Sequence, residues 1–480
     1  MVKSITKLSL STCYLVLTLT GSIWGQAIIQ ADILGVYSSA ELTALSGIVA
    51  NNGVTGYRVL YLTEGSDGLP DTASGFVALP DQPATKGIIA YQHGTVPDRQ
   101  SVPSNQSSEA DLALIFASQG YITTAADYLG LGNSRGFHPY VHAKTEASAG
   151  IDLLIAGRDL AVQNGIDSIP NIFVCGYSQG GHAAMAMAQA LQERPTDDLW
   201  ITAAAPMSGP YAISTVMSRE ILVDTVEYFF PAYLAYTMLS YQLMYQNLYS
   251  TLEEAFKADF VEDIRAFSME TISVTELNSR MISTLRAATG KSIPKDVFRE
   301  DFVNSVLADS LHPVNVALAD NDTYRWVPAF PMRLYYCMAD DQVDFRNSVV
   351  AAEYMNSQGA TDVQAIDLIS SADHGQCVLP ALLATLNFFN ELAAGTSAIY
   401  EESTQIVQIM PNPTQDVIRL EGLKGDFANY NIYNHFGQAV KQGNSISGKE
   451  IDVNDLPAGL YHLAIISGGQ LFSGSFIIHE

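Results

Sequence analysis

The chain has 480 residues, 48% hydrophobic and 15% charged, which allows a large core with one or two further units and excludes general disorder. Against 50 Asp and Glu stand 24 Lys and Arg, a formal net charge of −26. With no basic run to neutralise a phosphate backbone, this balance argues against nucleic acid as a partner.

Lys3 and Lys7 precede the uncharged stretch Tyr14 to Trp24, and the small residues Gly25 and Ala27 follow it. This is the layout of a secretory signal peptide at 1–27, because the apolar stretch is far shorter than the roughly 20 residues that span a bilayer. Cys13 precedes that stretch, so a lipid-anchored cysteine at the cleavage site is not expected. The mature protein is expected to be secreted or held at the outer cell surface, with no transmembrane segment. It keeps Cys175, Cys337 and Cys377, enough for one bridge at most, so disulfides are not its scaffold.

From about residue 56 short β-rich runs alternate with helix-like stretches. The runs are GYRVLYL (56–62), SGFVALP (74–80), KGIIAYQ (86–92), YITTAAD (121–127), NIFVCG (171–176) and WITAAAP (200–206), with helices near 108–118, 143–163 and 179–193. Buried runs spaced by helices predict an α/β fold, a mostly parallel sheet with helices on both faces. Strands stop at about 211 and resume with PMRLYYC (331–337), a helix from about 346 and VQAIDLI (363–369), so 211–325 reads as a helical insertion capping one end of the sheet. The stretch 391–403 is the expected linker, and from Glu401 short alternating strands without a helix predict a small all-β domain.

The pattern G-x-S-x-G occurs twice, around Ser134 and around Ser178. A nucleophilic serine needs a strand before it, a helix behind it and small residues that let the turn close. Ser178 has all three, between IFVC and GGHAAMAMAQALQER, whereas Ser134 lies between the glycine-broken YLGLGN and FHPY and reads as a turn serine. A serine nucleophile also needs a base oriented by a carboxylate. Chain order places these after the late strands, where MADDQVD offers Asp340, Asp341 or Asp344 and SSADHGQ offers His374, the one histidine of nine in such a position. For the oxyanion, the Gln179 amide and that of Gly94 or Thr95 are the expected donors.

Gly176–Gly180, His93-Gly94-Thr95, Asp127-Tyr128-Leu129-Gly130-Leu131-Gly132, Trp326-Val327-Pro328, Ala339-Asp340-Asp341-Gln342-Val343 and His374-Gly375 together resemble the secretory-lipase-like branch of the α/β-hydrolases, over about residues 34 to 395. The resemblance implies an α/β-hydrolase domain at 28–398 with a helical lid. It implies a D-x-x-V acid, which selects Asp340, although Asp344 stands where proline often follows the valine. It also makes the segment from Asp127 a structural loop near the site. Met410-Pro411-Asn412-Pro413, Tyr433 with Gly437, Ile451-Asp452-Val453 and Leu456-Pro457-Ala458-Gly459-Leu460-Tyr461 resemble the C-terminal sorting domain of type IX secretion substrates, at 405–480. This implies the type IX secretion machinery as a partner.

Between Glu227 and Glu253 there is no charge, but Pro231, Ser240, Gln242, Gln246 and Asn247 argue against a membrane span, and Tyr241, Tyr245 and Tyr249 are spaced as one helix face. A lid over an apolar substrate pocket is the expected use. Cys337 and Cys377 each lie three residues from Asp340 and His374, so a meeting of acid and base brings the two cysteines within reach of each other; Cys175 is expected to be buried. Asp320-Asn321-Asp322 lacks the glycine and glutamate of a calcium loop, so neither metal nor cofactor is expected. The reading is a secreted serine hydrolase cleaving carboxylic esters that carry an apolar portion, through Ser178, His374, Asp340 and an acyl-enzyme. The alternatives are a secreted serine peptidase with the same triad, or a non-catalytic surface-binding protein on a hydrolase fold.

Overall fold

A computed structural model of the chain describes residues 28–479, apart from 83–84, 167, 194–198, 224–225, 395–404, 407, 422–428, 435–438, 444–449 and 468–469. The leader expected at 1–27 and most of the linker expected at 391–403 lie outside the described residues; the linker's first residues belong instead to the helix His374–Ala393.

One sheet contains β1 (Ile28–Tyr37), β2 (Val54–Glu64), β3 (Pro70–Pro80), β4 (Ile88–Gln92), β5 (Ile122–Ala126), β6 (Ile172–Tyr177), β7 (Ala203–Met207), β8 (Met332–Tyr336) and β9 (Val363–Asp367). Its order is β1-β2-β3-β5-β4-β6-β7-β8-β9. β1, β2, β3 and β5 pair antiparallel, and every pairing from β5 across β4 to β9 is parallel. β1 has no counterpart in the sequence pattern, because its edge position leaves Ile29, Ile33 and Val36 exposed, so neither alternation nor continuous burial marks it.

The central strands are apolar throughout because both faces are covered. In β6, Ile172 and Val174 face a core built with Leu154, Met185 and Met355, from helices Ala143–Gln163, Gln179–Gln192 and Arg346–Ser357. Phe173 and Cys175 face the opposite core, with Leu114 and Phe389 from helices Ser108–Ser118 and His374–Ala393. Phe173 stacks on Phe389 with ring centres 4.5 Å apart. Truncating a buried aromatic of this kind costs about 3–5 kcal/mol, so these contacts fix the strand that leads into Ser178.

Among the described residues between β7 and β8 the regular elements are helical, the longest being Ala232–Tyr245, Ala258–Ser268 and Val274–Thr289. They share a core that includes Tyr236, Tyr241, Phe260, Leu277 and Met281. The tyrosine face expected over 241–249 is shorter than its spacing suggests. The helix ends at Tyr245, Gln246 turns left-handed with φ 59°, and Tyr249 lies beyond it, its hydroxyl donating back to the Met238 carbonyl at 3.2 Å.

The C-terminal region has a five-stranded sheet in the order Gln405–Ile406, Gln470–Ile478, Gly459–Ser467, Asn429–Asn434, Ala439–Gly443, and a three-stranded sheet of Gln408–Met410, Val417–Glu421 and Glu450–Asp452. Ile418, Ile432, Ile451, Leu463, Ile465 and Phe476 form its buried core.

Candidate active site

Ser178 sits between β6 and the helix Gln179–Gln192 with φ 63° and ψ −122°, a conformation that costs of order 1–3 kcal/mol for a residue with a side chain. The flanking glycines are what allow the turn. A Cβ on Gly176 would lie 2.2 Å from the Gly180 carbonyl oxygen, and one on Gly180 would lie 2.0 Å from that of Gln92. Ser178 is thereby raised at the carboxyl edge of the parallel strands, with a helix N-terminus behind it.

The loops after β8 and β9 end at the same edge. His374 Nδ1 lies 2.7 Å from Asp340 Oδ2, and both side chains are buried. The same carboxylate accepts the amides of Gln342 at 3.0 Å and Val343 at 2.9 Å, which fix its orientation. Asp341 accepts the backbone N–H of His374 at 3.2 Å, and Asp344 pairs with Arg346. Of the three acids that follow β8, Asp340 alone meets the imidazole.

His374 opens its helix because Asp373 caps it: the Asp373 carboxylate accepts the Gln376 amide at 2.9 Å, and the Gln376 side chain accepts the Asp373 N–H at 3.2 Å. The Tyr177 hydroxyl donates to the His374 carbonyl at 2.7 Å, and the two rings are 4.9 Å apart, which seats the imidazole against the residue preceding Ser178. Cys337 and Cys377 form a disulfide with their Cα atoms 6.0 Å apart, joining the end of β8 to the helix His374–Ala393; Cys175 is free and buried.

Gly94 borders the same turn: a Cβ built on it would lie 3.9 Å from Ser178 Cβ. Among the described residues no group accepts from the amides of Gly94, Thr95 or Gln179. Their loop is held from behind, where His93 Nε2 meets the Asp127 carbonyl at 3.2 Å and the Tyr128 hydroxyl donates to the His93 carbonyl at 3.1 Å. Asp127 is fully buried and accepts from the hydroxyls of Ser74 and Ser104, so it braces this loop. Ser134 is locked by a different carboxylate, donating to Asp71 at 2.6 Å and accepting from Gly130 N–H at 2.9 Å. It is a turn serine.

A cavity of about 120 Å3 opens beside Ser178 and Gln179. Its walls include Tyr140, Met217, Tyr233, Met238, Val306 and Val314, most of them from the insertion, and Tyr228 and Tyr233 donate to Gln342, whose amide donates to Asp340. Ile213 and Met217, which bound a π-helical turn, also line it. Helix Ala232–Tyr245 thus presents Tyr233, Leu234, Thr237 and Met238 to the cavity, not the tyrosine face that its spacing singles out. Tyr140 escapes sequence reasoning because it lies in a turn; the Thr95 hydroxyl, 2.8 Å from the Tyr140 hydroxyl, ties it to the loop after β4.

The family description Secretory lipase matches residues 100–397, more than half of the chain. The chain belongs to the secretory lipase family. A second description, Secretion system C-terminal sorting domain, matches residues 408–479. Among solved structures this family member is similar to the rice cell wall degrading esterase LipA from Xanthomonas oryzae, at 25% identity over 75% of this chain and 96% of that one with a TM-score of 0.66. It shares the fold of Candida antarctica lipase A, at 14% identity over 78% of this chain and 83% of that one with a TM-score of 0.58. No curated protein matches it in sequence. It is an ester hydrolase of the α/β-hydrolase fold with an all-β C-terminal region, and a secreted or cell-surface protein. Among the described residues no helix is long and apolar enough to cross a membrane.

Proposed function

We propose that the protein hydrolyses carboxylic esters through a serine nucleophile and an acyl-enzyme. Ser178 Oγ attacks the ester carbonyl carbon while its proton passes to His374 Nε2. The carbonyl oxygen becomes an oxyanion held by the amides of Gln179 and of Gly94 or Thr95. Collapse of the tetrahedral intermediate breaks the bond to the alcohol, which leaves with the proton from Nε2. A water molecule then gives a proton to Nε2, attacks the acyl carbon, and releases the acid as Ser178 recovers its proton. Asp340 holds the imidazole with Nδ1 protonated and stabilises its charged form.

The observation that carries this reading is the 2.7 Å pairing of His374 Nδ1 with Asp340, in an imidazole seated on Tyr177 beside the strained Ser178. The apolar cavity takes the acyl group, since burial contributes about 25 cal/mol per Å2 of apolar surface and its walls offer little polar competition. In this reading residues 1–27 direct export, 28–398 form the hydrolase domain with 211–325 as its lid, and 405–480 engage the type IX secretion machinery. A panel of nitrophenyl esters of increasing chain length, with peptide amides beside it, tests the reading: ester turnover lost in Ser178→Ala is expected, and peptide turnover without ester turnover overturns it in favour of a peptidase.

A further inference from the structure

Three buried titratable side chains near the nucleophile take no part in the proton transfers: His138, Glu146 and His182. Glu146 is 1% exposed and His182 0%. A buried carboxylate costs several kcal/mol unless every oxygen is paired, and packed hydrocarbon of the same volume is often as stable or more so. Stability alone is therefore a poor reason for this cluster, and its connections indicate another.

Gln179 directly follows Ser178. Its side-chain Nε2 donates to Glu146 Oε1 at 2.9 Å and to His138 Nε2 at 2.8 Å, which uses both of its hydrogens. His138 Nδ1 donates to the Leu129 carbonyl at 2.7 Å, which leaves Nε2 as an acceptor, and burial keeps the ring neutral by lowering its pKa to about 3. The other oxygen of Glu146 meets His182 Nδ1 at 2.7 Å, one turn along the helix that begins at Gln179. His182 Nε2 meets the carbonyl of Asn321 at 2.9 Å. Asn321 follows the insertion helix Pro313–Asp320 and donates to the Tyr245 hydroxyl at 2.9 Å. On the other branch, the His138 carbonyl accepts from the Ser240 hydroxyl at 3.0 Å, and that hydroxyl accepts the N–H of the cavity-lining Tyr140 at 2.9 Å. One buried carboxylate thus joins the residue after the nucleophile to helices of the insertion along two routes.

We propose that Glu146 is a positioning residue for the reaction: by holding Gln179 it sets the direction of the oxyanion-binding amide, and by holding His182 it couples that turn to the helices over the cavity. The inference rests on Ser178 as nucleophile and on the Gln179 amide as oxyanion donor. A donor displaced from its place stabilises the transition state less without changing ground-state binding, so the loss falls on kcat and spares KM.

The test compares Glu146→Leu and Glu146→Gln in the secreted protein, using nitrophenyl butyrate and the tetrahedral mimic butylboronic acid. A fluorophosphonate probe first shows whether wild-type Ser178 reacts; failure there removes the underlying reading, whereas normal labelling leaves the positioning claim to the kinetics. Glu146→Leu is expected to lower kcat about ten- to hundredfold with KM held within about threefold, and to weaken the boronate by the same factor as kcat. Glu146→Gln keeps an acceptor for Gln179 and a partner for His182, so it is expected to recover most of that loss. Wild-type kcat in Glu146→Leu, a rise in KM alone, or equal loss in both variants overturns the proposal. If Glu146→Leu does not fold, Gln179→Met carries the test, because it keeps the backbone amide and removes only the side-chain grip; kcat unchanged in that variant overturns the proposal as well.

Discussion

Replacing Asp340 by Asn preserves the shape of the side chain and removes its charge. The carboxylate receives three hydrogen bonds, from His374 Nδ1 at 2.7 Å and from the amides of Gln342 and Val343 at 3.0 and 2.9 Å. If the Asn oxygen keeps the two backbone donors, its NH2 faces Nδ1, which must then accept. The imidazole takes the tautomer with its proton on Nε2 and can no longer receive one from Ser178. A tautomer change of this kind lowers kcat by about 10^4-fold, which corresponds to about 5 kcal/mol of barrier. Asp341 offers the contrast: it is exposed and accepts the backbone N–H of His374 at 3.2 Å, a helix-terminus interaction that contributes about 0.3–1 kcal/mol. Asp341→Asn is accordingly expected to lose no more than about fivefold in kcat. The assay is nitrophenyl ester turnover for both variants, with thermal unfolding to establish that each is folded. A loss in Asp341→Asn as deep as in Asp340→Asn, or Asp340→Asn retaining more than about a tenth of kcat, refutes the assignment of the acid.

Ser134→Ala is expected to keep wild-type kcat while losing about 1–3 kcal/mol of stability in urea titration, because Asp71 and the Gly130 amide each lose a buried partner; loss of kcat in the folded variant contradicts the structural role. Changing both Cys337 and Cys377 to Ala opens a loop of sequence separation 40 and is expected to cost about 4 kcal/mol, read as a lower urea midpoint, whereas an unchanged midpoint contradicts it. His138 titrates at about 3 when folded and near 6.5 in an unfolded chain, so between these values the unfolded chain binds a proton that the folded chain refuses. Stability therefore falls as pH drops through that window, by up to several kcal/mol, and the limb is expected to be shallower in His138→Gln. A wild-type slope in His138→Gln contradicts this. Taking the difference between the two proteins cancels the opposing contribution of Asp127, whose pKa burial raises.

The strands from β2 to β9 are legible in the sequence because most are buried and therefore written as short apolar runs, each closed by turn residues. β1 is not, since an edge strand half in water obeys neither rule. The turn at Ser178 is legible because strand, serine and helix are contiguous. Chain position does not choose among the three acids, since each follows β8 closely; the D-x-x-V register of the resemblance picks Asp340, the carboxylate that meets Nδ1. Tyr249 continues a four-residue spacing past the point where Gln246 ends the helix, and residue spacing does not record a left-handed turn. His138 and His182 fail as bases on chain order alone, yet both hold positions around Gln179. Glu146 carries no local signal, because its partners lie 33 and 36 residues further along the chain.

The most direct measurement is the mass of the peptide containing residue 178 after brief treatment of the secreted protein with a fluorophosphonate. One adduct per chain is expected, located on Ser178, absent from Ser178→Ala, and formed more slowly in the presence of a hydrolysable ester. An adduct on Ser134 or another serine, no adduct at all, or equal labelling of Ser178→Ala contradicts it.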